Sequence, residues 1–347
     1  MNVSATAITA FVEKLFLATK LSHDDARLCA ETHVLQEMRG ITTHGLRHVP
    51  INLDGLTKGL INPHPQRTVL LDETGIIVLD GDQGVGILGC MEAMERTIAK
   101  AKQFGIGIGI VTRNNHFLSA APYCLRATAQ GMIGICFSNT WSSMGYPGTH
   151  SRAIANSPIG FGVPRPPEFP IIFDSALTTS GGKLLQWIRD GKVIPQALLG
   201  IDQEGNVSFD PTAVLHGGTP WPIGDHKGAG LAVLVEILTG VLGGSNFLHG
   251  IRPPNLRTSK EESETQCCIA IDIARFMPLN IFRERMAKFV DDLKSNAIAP
   301  GHVEILLPGE RAHRAQLRCL QDGASLEADI AADLRVWAEQ LEVVFPF

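Results

Sequence analysis

The chain has 347 residues, of which 44% are apolar and 19% are charged, and its formal net charge is −5. This composition is typical of a globular protein with large cores. The negative charge provides no broad basic surface for nucleic acid, and only two tyrosines are present to stack on bases. There is no uncharged apolar run of about 18 residues to span a membrane. Residues 1–10 are unlike a signal peptide, and seven cysteines without a CxxC pair predict free thiols in the cytoplasm.

The N-terminal part of the chain predicts helices. Apolar residues at helical spacing indicate one helix over residues 4–18. Ser22, with Asp25 three residues on, resembles a capping box and begins a second helix that stops near Gly40. A third helix is predicted from His44 to about Lys58.

From Thr68 onward the apolar pattern alternates between short strands and helices. The predicted strands cover 76–80, 106–112, 132–138, 171–174 and 267–272, and the predicted helices cover 87–104, 123–130, 228–243, 283–295 and 326–341. Helices therefore flank a mixed α/β region.

One glycine pattern resembles a dinucleotide fingerprint. Residues 84–89 match G-x-G-x-x-G between a predicted strand and a predicted helix. The next strand ends without the acidic residue that would bind a ribose, although Arg113 there suits a 2′-phosphate. Because the chain has 35 glycines, we favour a tight structural turn over a Rossmann site.

Two histidine-bearing polar segments indicate catalysis. Residues 39–48 include His44 and His48, and His116 follows a predicted strand. Histidine exchanges protons near neutral pH. From spacing alone, three interpretations of His44 stay open: a helix cap, a proton donor beside Thr43, and a zinc ligand that shares a helix face with His48. The zinc pair is least favoured, since the Glu of H-E-x-x-H is absent and no third ligand is near.

Two further segments carry weaker signals. Lys227 lies at the start of the apolar helix over 228–243, where exposed amides and the helix dipole favour anions. In isolation it is also consistent with a solvated lysine. Residues 308–310 predict a turn and little more.

Seven motifs in this order resemble the type-2 malate/L-lactate dehydrogenase family, which includes ureidoglycolate and sulfolactate dehydrogenases, diketogulonate reductase and piperideine-2-carboxylate reductase. The motifs are Arg39-Gly40-Ile41-x-Thr43-His44-Gly45, Asn115-His116-Phe117, Gly131 to Ile135 with Asn139, Phe173-Asp174-Ser175-Ala176, Gly182-Lys183, Lys227-Gly228-x-Gly230-Leu231 with Glu236, and Leu307-Pro308-Gly309-Glu310. The resemblance covers nearly the whole chain and is that of a divergent member.

The resemblance implies a mixed α/β fold with a non-Rossmann dinucleotide-binding domain built on a large, mostly antiparallel sheet. It implies a helical domain from both termini, over residues 1–70 with 311–347. The mixed region over 71–310 would contain the NAD(P)-binding domain. The family also implies a homodimer with its site near the subunit interface.

The implied activity is NAD- or NADP-dependent hydride transfer between the nicotinamide and C2 of a small 2-oxo or 2-hydroxy acid. A cyclic imino acid is the alternative substrate within the family. Outside it, the alternatives are a zinc-dependent hydrolase using His44 and His48, and a relative that binds cofactor without turnover. We expect no resident metal, and neither nucleic acid nor membrane as a partner.

By matching position, His44 resembles the family's proton donor, with Thr43 in place of the Ser that assists it. His116 resembles a second active-site histidine at the nicotinamide. The positions that resemble cofactor contacts are His116, Thr140, Asp174, Ser175, Ala176, Lys227, Pro308, Gly309 and Glu310.

The substrate-binding position departs from the family pattern. The family usually has an Arg four residues after the first His, where it holds the substrate carboxylate in a bidentate fork. Here His48 stands at that position and Arg47 precedes it. Because imidazole cannot reproduce the fork, we expect that His48 binds as imidazolium, that Arg47 replaces it, or that the substrate differs.

Overall fold

The computed structural model describes residues 2–179, 191 and 200–347. Its helices are α1 (Ala5–Ala18), α2 (His23–Met38), α3 (Val49–Thr57), α4 (Gly86–Phe104), α5 (Ala121–Thr128), α6 (Pro211–Leu215), α7 (His226–Glu236), α8 (Leu279–Lys294), α9 (Glu310–Asp322) and α10 (Ala328–Gln340). Within this part of the chain, no helix combines the length and apolar character that a membrane crossing requires.

The strands are mostly short. They are β1 (Asn2–Val3), β2 (Thr68–Asp72), β3 (Ile76–Asp80), β4 (Ile106–Asn114), β5 (Met132–Ser138), β6 (Ser142–Met144), β7 (Ile154–Ala155), β8 (Ile159–Val163), β9 (Ile171–Ser175), β10 (Gly200–Ile201), β11 (Val207–Ser208), β12 (Thr219–Pro220), β13 (Glu264–Asp272) and β14 (Ala324–Ser325).

A seven-stranded sheet with the order β2-β3-β4-β13-β5-β8-β9 forms the centre of the molecule. The β3–β4 pair, connected through α4, is parallel, and the other five neighbouring pairs are antiparallel. The mixed α/β class and the mostly antiparallel sheet that the resemblance implied are therefore confirmed.

A helical layer brings the two ends of the chain together. Phe11 of α1 and Leu334 of α10 belong to one buried core cluster, and β1 pairs with β14. Ile87 of α4 lies in the same cluster, so the helical layer packs on the first turn of the helix that follows β3. The division into residues 1–70 with 311–347 and residues 71–310 stays a prediction.

The central sheet has an apolar core on each face. On one face, Met94 of α4 and Tyr123 of α5 cover Cys268 of β13. On the other face, Val235 of α7 shares a cluster with Cys267. The two adjacent cysteines therefore lie on opposite sides of the sheet, as the alternation of strand side chains requires.

The glycines at 84–89 create a close packing contact instead of a phosphate cradle. A Cβ at Gly86 would lie 2.0 Å from the carbonyl oxygen of Asn115, and one at Gly89 would lie 2.8 Å from the Asn114 side chain. Backbone therefore fills the space that a Rossmann fold gives to a pyrophosphate. This favours the structural-turn interpretation. The glycines allow α4 to pack directly against the loop that carries His116.

The predicted helix from His44 to Lys58 is wrong in its first part. Two 3₁₀ turns, Thr42–His44 and Leu46–His48, precede α3. Gly45 between them has φ −95° and ψ −131°, outside the helical region. His44 and His48 consequently do not share one helix face.

Several elements were not predicted from the sequence, and β8 and α9 illustrate why. Strand β8 contains Gly160 and Gly162, and glycine is depleted in strands. A Cβ at Gly160 would lie 2.4 Å from the Cβ of Ala120, so glycine is needed there for the chain entering α5 to pack on the sheet. Helix α9 buries only Glu310 and therefore lacks the apolar stripe on which helix prediction depends.

Candidate active site

Four imidazole rings, those of His33, His44, His48 and His116, form a stacked cluster. The ring centroids of His48 and His116 are 4.3 Å apart, and those of His44 and His116 are 5.6 Å apart. The centroids of His33 and His48 are 6.3 Å apart. His33 and His48 are buried, whereas His44 and His116 are half-buried. The two histidines predicted to be catalytic, His44 and His116, are thus the accessible members of the cluster.

His33 is a buried member of the cluster, and both of its ring nitrogens are hydrogen-bonded. Its Nδ1 lies 3.0 Å from the carbonyl oxygen of Gly45, and its Nε2 lies 3.1 Å from the amide nitrogen of Asn52. Because the carbonyl only accepts and the amide nitrogen only donates, this network assigns the hydrogen to Nδ1. Both nitrogens of His33 are therefore used in holding the turn at Gly45.

His44 is paired with the hydroxyl beside it. The Thr43 Oγ1 lies 2.9 Å from the Nδ1 of His44. With the hydroxyl accepting from Nδ1–H, Nε2 keeps a free lone pair, which can take up a proton and later return it. Burial lowers the pKa of His44 to about 4, so its ring is neutral at pH 7.

Glu37 of α2 fixes the turn that carries His44. Its Oε2 accepts a hydrogen bond of 2.9 Å from the backbone N–H of Leu46. A Cβ at Gly45 would lie 2.3 Å from the same oxygen, so the turn requires glycine. Burial raises the pKa of Glu37 to about 7.

His116 lies beside a cation that the sequence did not single out. The Nδ1 of His116 accepts a hydrogen bond of 3.2 Å from the N–H of Leu118. Arg257 donates through Nη1 to Asn115 Oδ1 and lines one small cavity together with Asn52 and His116. Its buried Nε has no hydrogen-bond partner among the described residues. Burial, followed by the charges of His44 and Arg257, lowers the pKa of His116 well below its usual value.

Neither residue predicted to bind the substrate carboxylate is a free cation. Burial, and then the neighbouring His116, lowers the pKa of His48 well below its usual value, so His48 is not an imidazolium at neutral pH. The two terminal nitrogens of Arg47 each lie 2.8 Å from a carboxylate, Asp329 on α10 and Glu327 just before it. The half-buried guanidinium at this cluster is that of Arg257.

Thr140 belongs to a buried polar network next to the cluster. Its hydroxyl donates to Glu264 Oε1 over 3.3 Å. Burial raises the pKa of Glu264 to about 7, against the lowering effect of Arg257. Gln266 donates to the carbonyl of Asn115 over 3.2 Å, which ties β13 to the His116 loop.

The other positions that resemble cofactor contacts gather around the end of β9. The N–H of Ile172 donates to the carbonyl of Pro308 over 3.1 Å, which places the 308–310 turn on this strand. The N–H of Ile223 donates to the carbonyl of Leu177 over 2.9 Å. This second bond brings the chain before α7, and with it the exposed Lys227, to the segment after β9.

Comparison with known proteins places this geometry in a family. The chain matches the malate/L-lactate dehydrogenase family model over residues 3–335. It belongs to this family. A malate dehydrogenase from Pyrococcus horikoshii is 29% identical over 353 residues, 99% of this chain and 96% of that protein. An L-sulfolactate dehydrogenase from Methanocaldococcus jannaschii is 31% identical over 323 residues, 92% of this chain and 91% of that protein. The structure of a malate dehydrogenase from Entamoeba histolytica superposes with a TM-score of 0.93 at 28% identity, covering 100% of this chain and 99% of that one.

The family resemblance is thereby confirmed, and the protein is an enzyme of the dehydrogenase and reductase class. In this family member, several polar and charged side chains at the expected cofactor positions form hydrogen bonds within the protein. Asp174 accepts a hydrogen bond of 2.7 Å from the N–H of Ala121 and caps α5. The hydroxyl of Ser175 donates to the carbonyl of Ala176.

Glu310 is also used internally. It pairs with Lys294 at 2.8 Å and with Arg314, and it accepts a hydrogen bond from the N–H of Leu307. Together with the internal bonds of Asp174 and Ser175, this leaves backbone groups and Lys227 as the groups these positions offer to a cofactor. The Gly182-Lys183 motif lies outside the described residues.

The histidine cluster of this dehydrogenase does not form a ligand set for a metal. Among the described residues, only Cys90, Cys136 and Cys268 form a group of three His, Cys, Asp or Glu side chains whose ligand atoms lie close enough to hold one metal ion. His44 and His48 therefore have no third ligand in the described chain, which argues against the zinc hydrolase alternative.

A larger cavity of about 600 Å³ lies away from the histidines, between α2, α4 and α5. Its arginines are paired: Arg67 with Glu92 at 2.8 Å, and Arg126 with Glu95. Because it contains no histidine and its arginines pair with carboxylates, this cavity is a weaker candidate for an active site than the histidine cluster.

Four residues of the site escaped sequence reasoning: His33, Glu37, Arg257 and Glu264. Arg257 follows Pro253-Pro254 in a segment without periodicity, so no local pattern marks it. Glu264 was missed because the predicted strand began at Cys267, three residues after the observed start of β13. A charged residue just before an apolar strand is the one signal that could have identified Glu264.

Proposed function

We propose that the protein is an NAD(P)-dependent oxidoreductase that transfers hydride between C4 of the nicotinamide and C2 of a small 2-oxo or 2-hydroxy acid. The observation that carries this proposal is the placement of two accessible imidazoles, His44 and His116, beside the half-buried Arg257. Proton exchange at an oxygen and recognition of a carboxylate are the two tasks that a protein performs for this reaction.

The residues present fit a pyridine nucleotide. Helix α7 begins next to the end of β9, and its exposed N-terminal turn carries Lys227, with which no described carboxylate pairs. The helix dipole and a positive charge at a helix N-terminus favour a pyrophosphate. When bound, the nicotinamide supplies or accepts the hydride. We propose Thr140, the 174–176 turn, Lys227 and the 308–310 turn as its contacts.

Each side chain of the cluster has a distinct role in the proposal. His44, oriented by Thr43, donates a proton to the substrate oxygen during reduction and accepts it during oxidation. Arg257 holds the substrate carboxylate and takes the place of the Arg that His48 replaces. His116 lies at the nicotinamide, and His48 packs beneath it as a neutral ring.

A cyclic imino acid is the alternative substrate, with His44 giving its proton to nitrogen instead of oxygen. One relative is a Delta(1)-pyrroline-2-carboxylate/Delta(1)-piperideine-2-carboxylate reductase from Pseudomonas putida. Both substrate types carry a carboxylate at C2, so the same Arg257 serves either of them.

Initial rates with NADH and NADPH test the proposed function. The substrates are oxaloacetate, a sulfonated 2-oxo acid, Delta(1)-piperideine-2-carboxylate and butanone, a ketone without a carboxylate. We expect turnover of at least one of the three acids and none of butanone. Consumption of butanone, or of none of the four compounds, would contradict the proposal.

We also propose that the enzyme is a homodimer joined through α7. Helix α7 continues into a π-helical segment (Ile237–Val241) that is followed by Leu242. This stretch leaves a row of apolar side chains between 44% and 62% exposed: Leu231, Leu234, Ile237, Val241 and Leu242. Contiguous exposed apolar surface of this kind marks an interface. Light scattering of Leu234→Glu is expected to give a monomer, and Leu320→Glu on α9 is the control that stays dimeric.

We further propose a cytoplasmic location. All seven cysteines are free thiols, and six of them are buried. Free thiols persist in reducing compartments.

A further inference from the structure

Three cysteines from different elements meet inside the core. Cys90 of α4, Cys136 of β5 and Cys268 of β13 place their Sγ atoms at separations of 3.7, 3.9 and 3.8 Å. Cys136 and Cys268 are direct partners across the two strands. The three sulfurs therefore form a nearly equilateral triangle between a helix and the two strands beneath it.

The surroundings of this triangle, which we call the thiol triad, are apolar. All three side chains are fully buried, within the core cluster that includes Met94 and Tyr123. Among the described residues, no lysine, arginine or histidine contacts the three sulfurs. A charged species bound here would lack a counterion, and burying such a charge is costly.

Charge balance separates the candidate ligands. Sulfur prefers soft centres, but three thiolates around a monovalent or divalent cation leave a net negative charge in the core. A trivalent centre leaves none. The fixed number of three sulfurs and the absence of a compensating cation thus select a ligand that forms three bonds to sulfur with no residual charge.

We propose that the thiol triad is a binding site for a trivalent metalloid hydroxide of the arsenite or antimonite class. In the binding reaction three As–O bonds of arsenous acid break and three As–S bonds form. Each thiol proton leaves with a hydroxyl group as water. Arsenic stays trivalent, so the step requires no oxidant or reductant, and the product is neutral.

The buried position predicts slow binding. The sulfurs become accessible only when α4 moves away from β5 and β13, and such opening occurs through local unfolding. The bound metalloid would then join the helix to the two central strands. None of the three cysteines belongs to the proposed catalytic or cofactor-binding residues, so the inference is independent of the proposed function.

The test is incubation of the reduced, full-length protein with sodium arsenite, followed by desalting and native mass spectrometry. We expect one added arsenic per chain with a mass deficit of three hydrogens. Alkylation after denaturation is expected to count four reactive thiols in place of the seven in untreated protein.

Matched variants locate the site. Cys90→Ala, Cys136→Ala and Cys268→Ala are each expected to abolish the three-sulfur adduct. Cys267→Ala is the control, because Cys267 is equally buried and adjacent in sequence but lies on the opposite face of the sheet. It is expected to keep the adduct.

Three results would overturn the proposal. They are no arsenic on the wild-type protein, loss of the adduct in Cys267→Ala, and retention of the three-sulfur adduct in any of the three triad variants. The wild-type result decides the matter even where a variant fails to fold.

Discussion

At the residue scale, burial sets the protonation of the histidines. It lowers the pKa of both His33 and His44 to about 4, and it lowers the pKa values of His48 and His116 well below the usual value. All four rings are therefore neutral at pH 7. A neutral imidazole accepts the proton released when a hydroxy acid is oxidised.

His44→Gln is expected to lower kcat by about 100-fold or more, the usual effect of losing a general acid or base. Cofactor affinity, measured by NAD(P)H fluorescence titration, should change little because the proposed contact of His44 is with the substrate oxygen. An unchanged kcat would move the proton-transfer role to His116.

The pH profile of oxidation provides a second measurement on His44. Because the active form is the neutral base and its pKa is about 4 in the free enzyme, the ionisation of His44 should leave kcat/KM unchanged from pH 8 down to about 5 and lower it below that. A fall that begins near pH 6.5, the unperturbed value for histidine, would show that His44 is more solvated than the structure places it.

Arg257→Gln should raise KM for a 2-oxo acid by roughly 10- to 100-fold, because it removes charge-assisted hydrogen bonds worth about 1.5–3 kcal/mol. Arg47→Gln is the matched control, since Arg47 already pairs with Glu327 and Asp329. The reverse pattern, with Arg47→Gln raising KM and Arg257→Gln silent, would return the carboxylate to Arg47.

At the element scale, backbone contacts made by glycine determine where the site residues lie. Gly86 allows α4 to touch the carbonyl groups of Asn115 and His116, and Gly45 allows its turn to rest on Glu37. These contacts join different elements of the fold, so the local sequence shows only that a glycine is present.

Gly86→Ala should therefore reduce both stability and activity, because the added Cβ overlaps the carbonyl oxygen of Asn115 and overpacking costs about 1–3 kcal/mol. Gly75→Ala, between β2 and β3, is the control, since a Cβ there would meet only the carbonyl oxygen of Ile106, at an ordinary 3.5 Å. It should be neutral or slightly stabilising. Thermal unfolding and kcat of both variants are measured; equal behaviour would show that the α4 contact does not hold His116.

The sequence predicted the elements whose signals are local. Ser22 caps α2 as expected, with its side chain accepting from the N–H of Asp25, and β5 spans the predicted residues 132–138. The start of α3 was predicted wrongly and strand β8 was not predicted, because tertiary contacts of glycine override their local patterns. Arg257 was missed for a similar reason: only the folded chain brings it to His116, which lies more than a hundred residues away in sequence.

At the scale of the whole molecule, buried carboxyl groups couple stability to pH. The pKa of Glu264 is raised from 4.5 to about 7 by burial. A raised folded-state pKa contributes stability that is present below the unfolded value and lost as pH rises through the folded value. The contribution of Glu264 is therefore lost between about pH 4.5 and 7.

Glu264→Gln removes this titration. Relative to wild type, the variant should gain about 3 kcal/mol of unfolding free energy between pH 4.5 and 8, as the size of the pKa shift implies. The buried histidines are common to both proteins and cancel in the difference. Urea unfolding at both pH values measures it; a difference independent of pH would mean that Glu264 is not held neutral by burial.

The central claim is direct hydride transfer between nicotinamide and substrate C2 at the His44–His116–Arg257 cluster. It is tested by reducing oxaloacetate, or whichever 2-oxo acid is turned over fastest, with NAD(P)H carrying deuterium at C4 of the transferred face. Mass spectrometry and NMR of the 2-hydroxy acid should show the deuterium at C2, formed at a rate that falls in His44→Gln. A hydroxy acid without deuterium at C2, with the label lost to solvent or kept on the nucleotide for both C4 faces, would contradict the account.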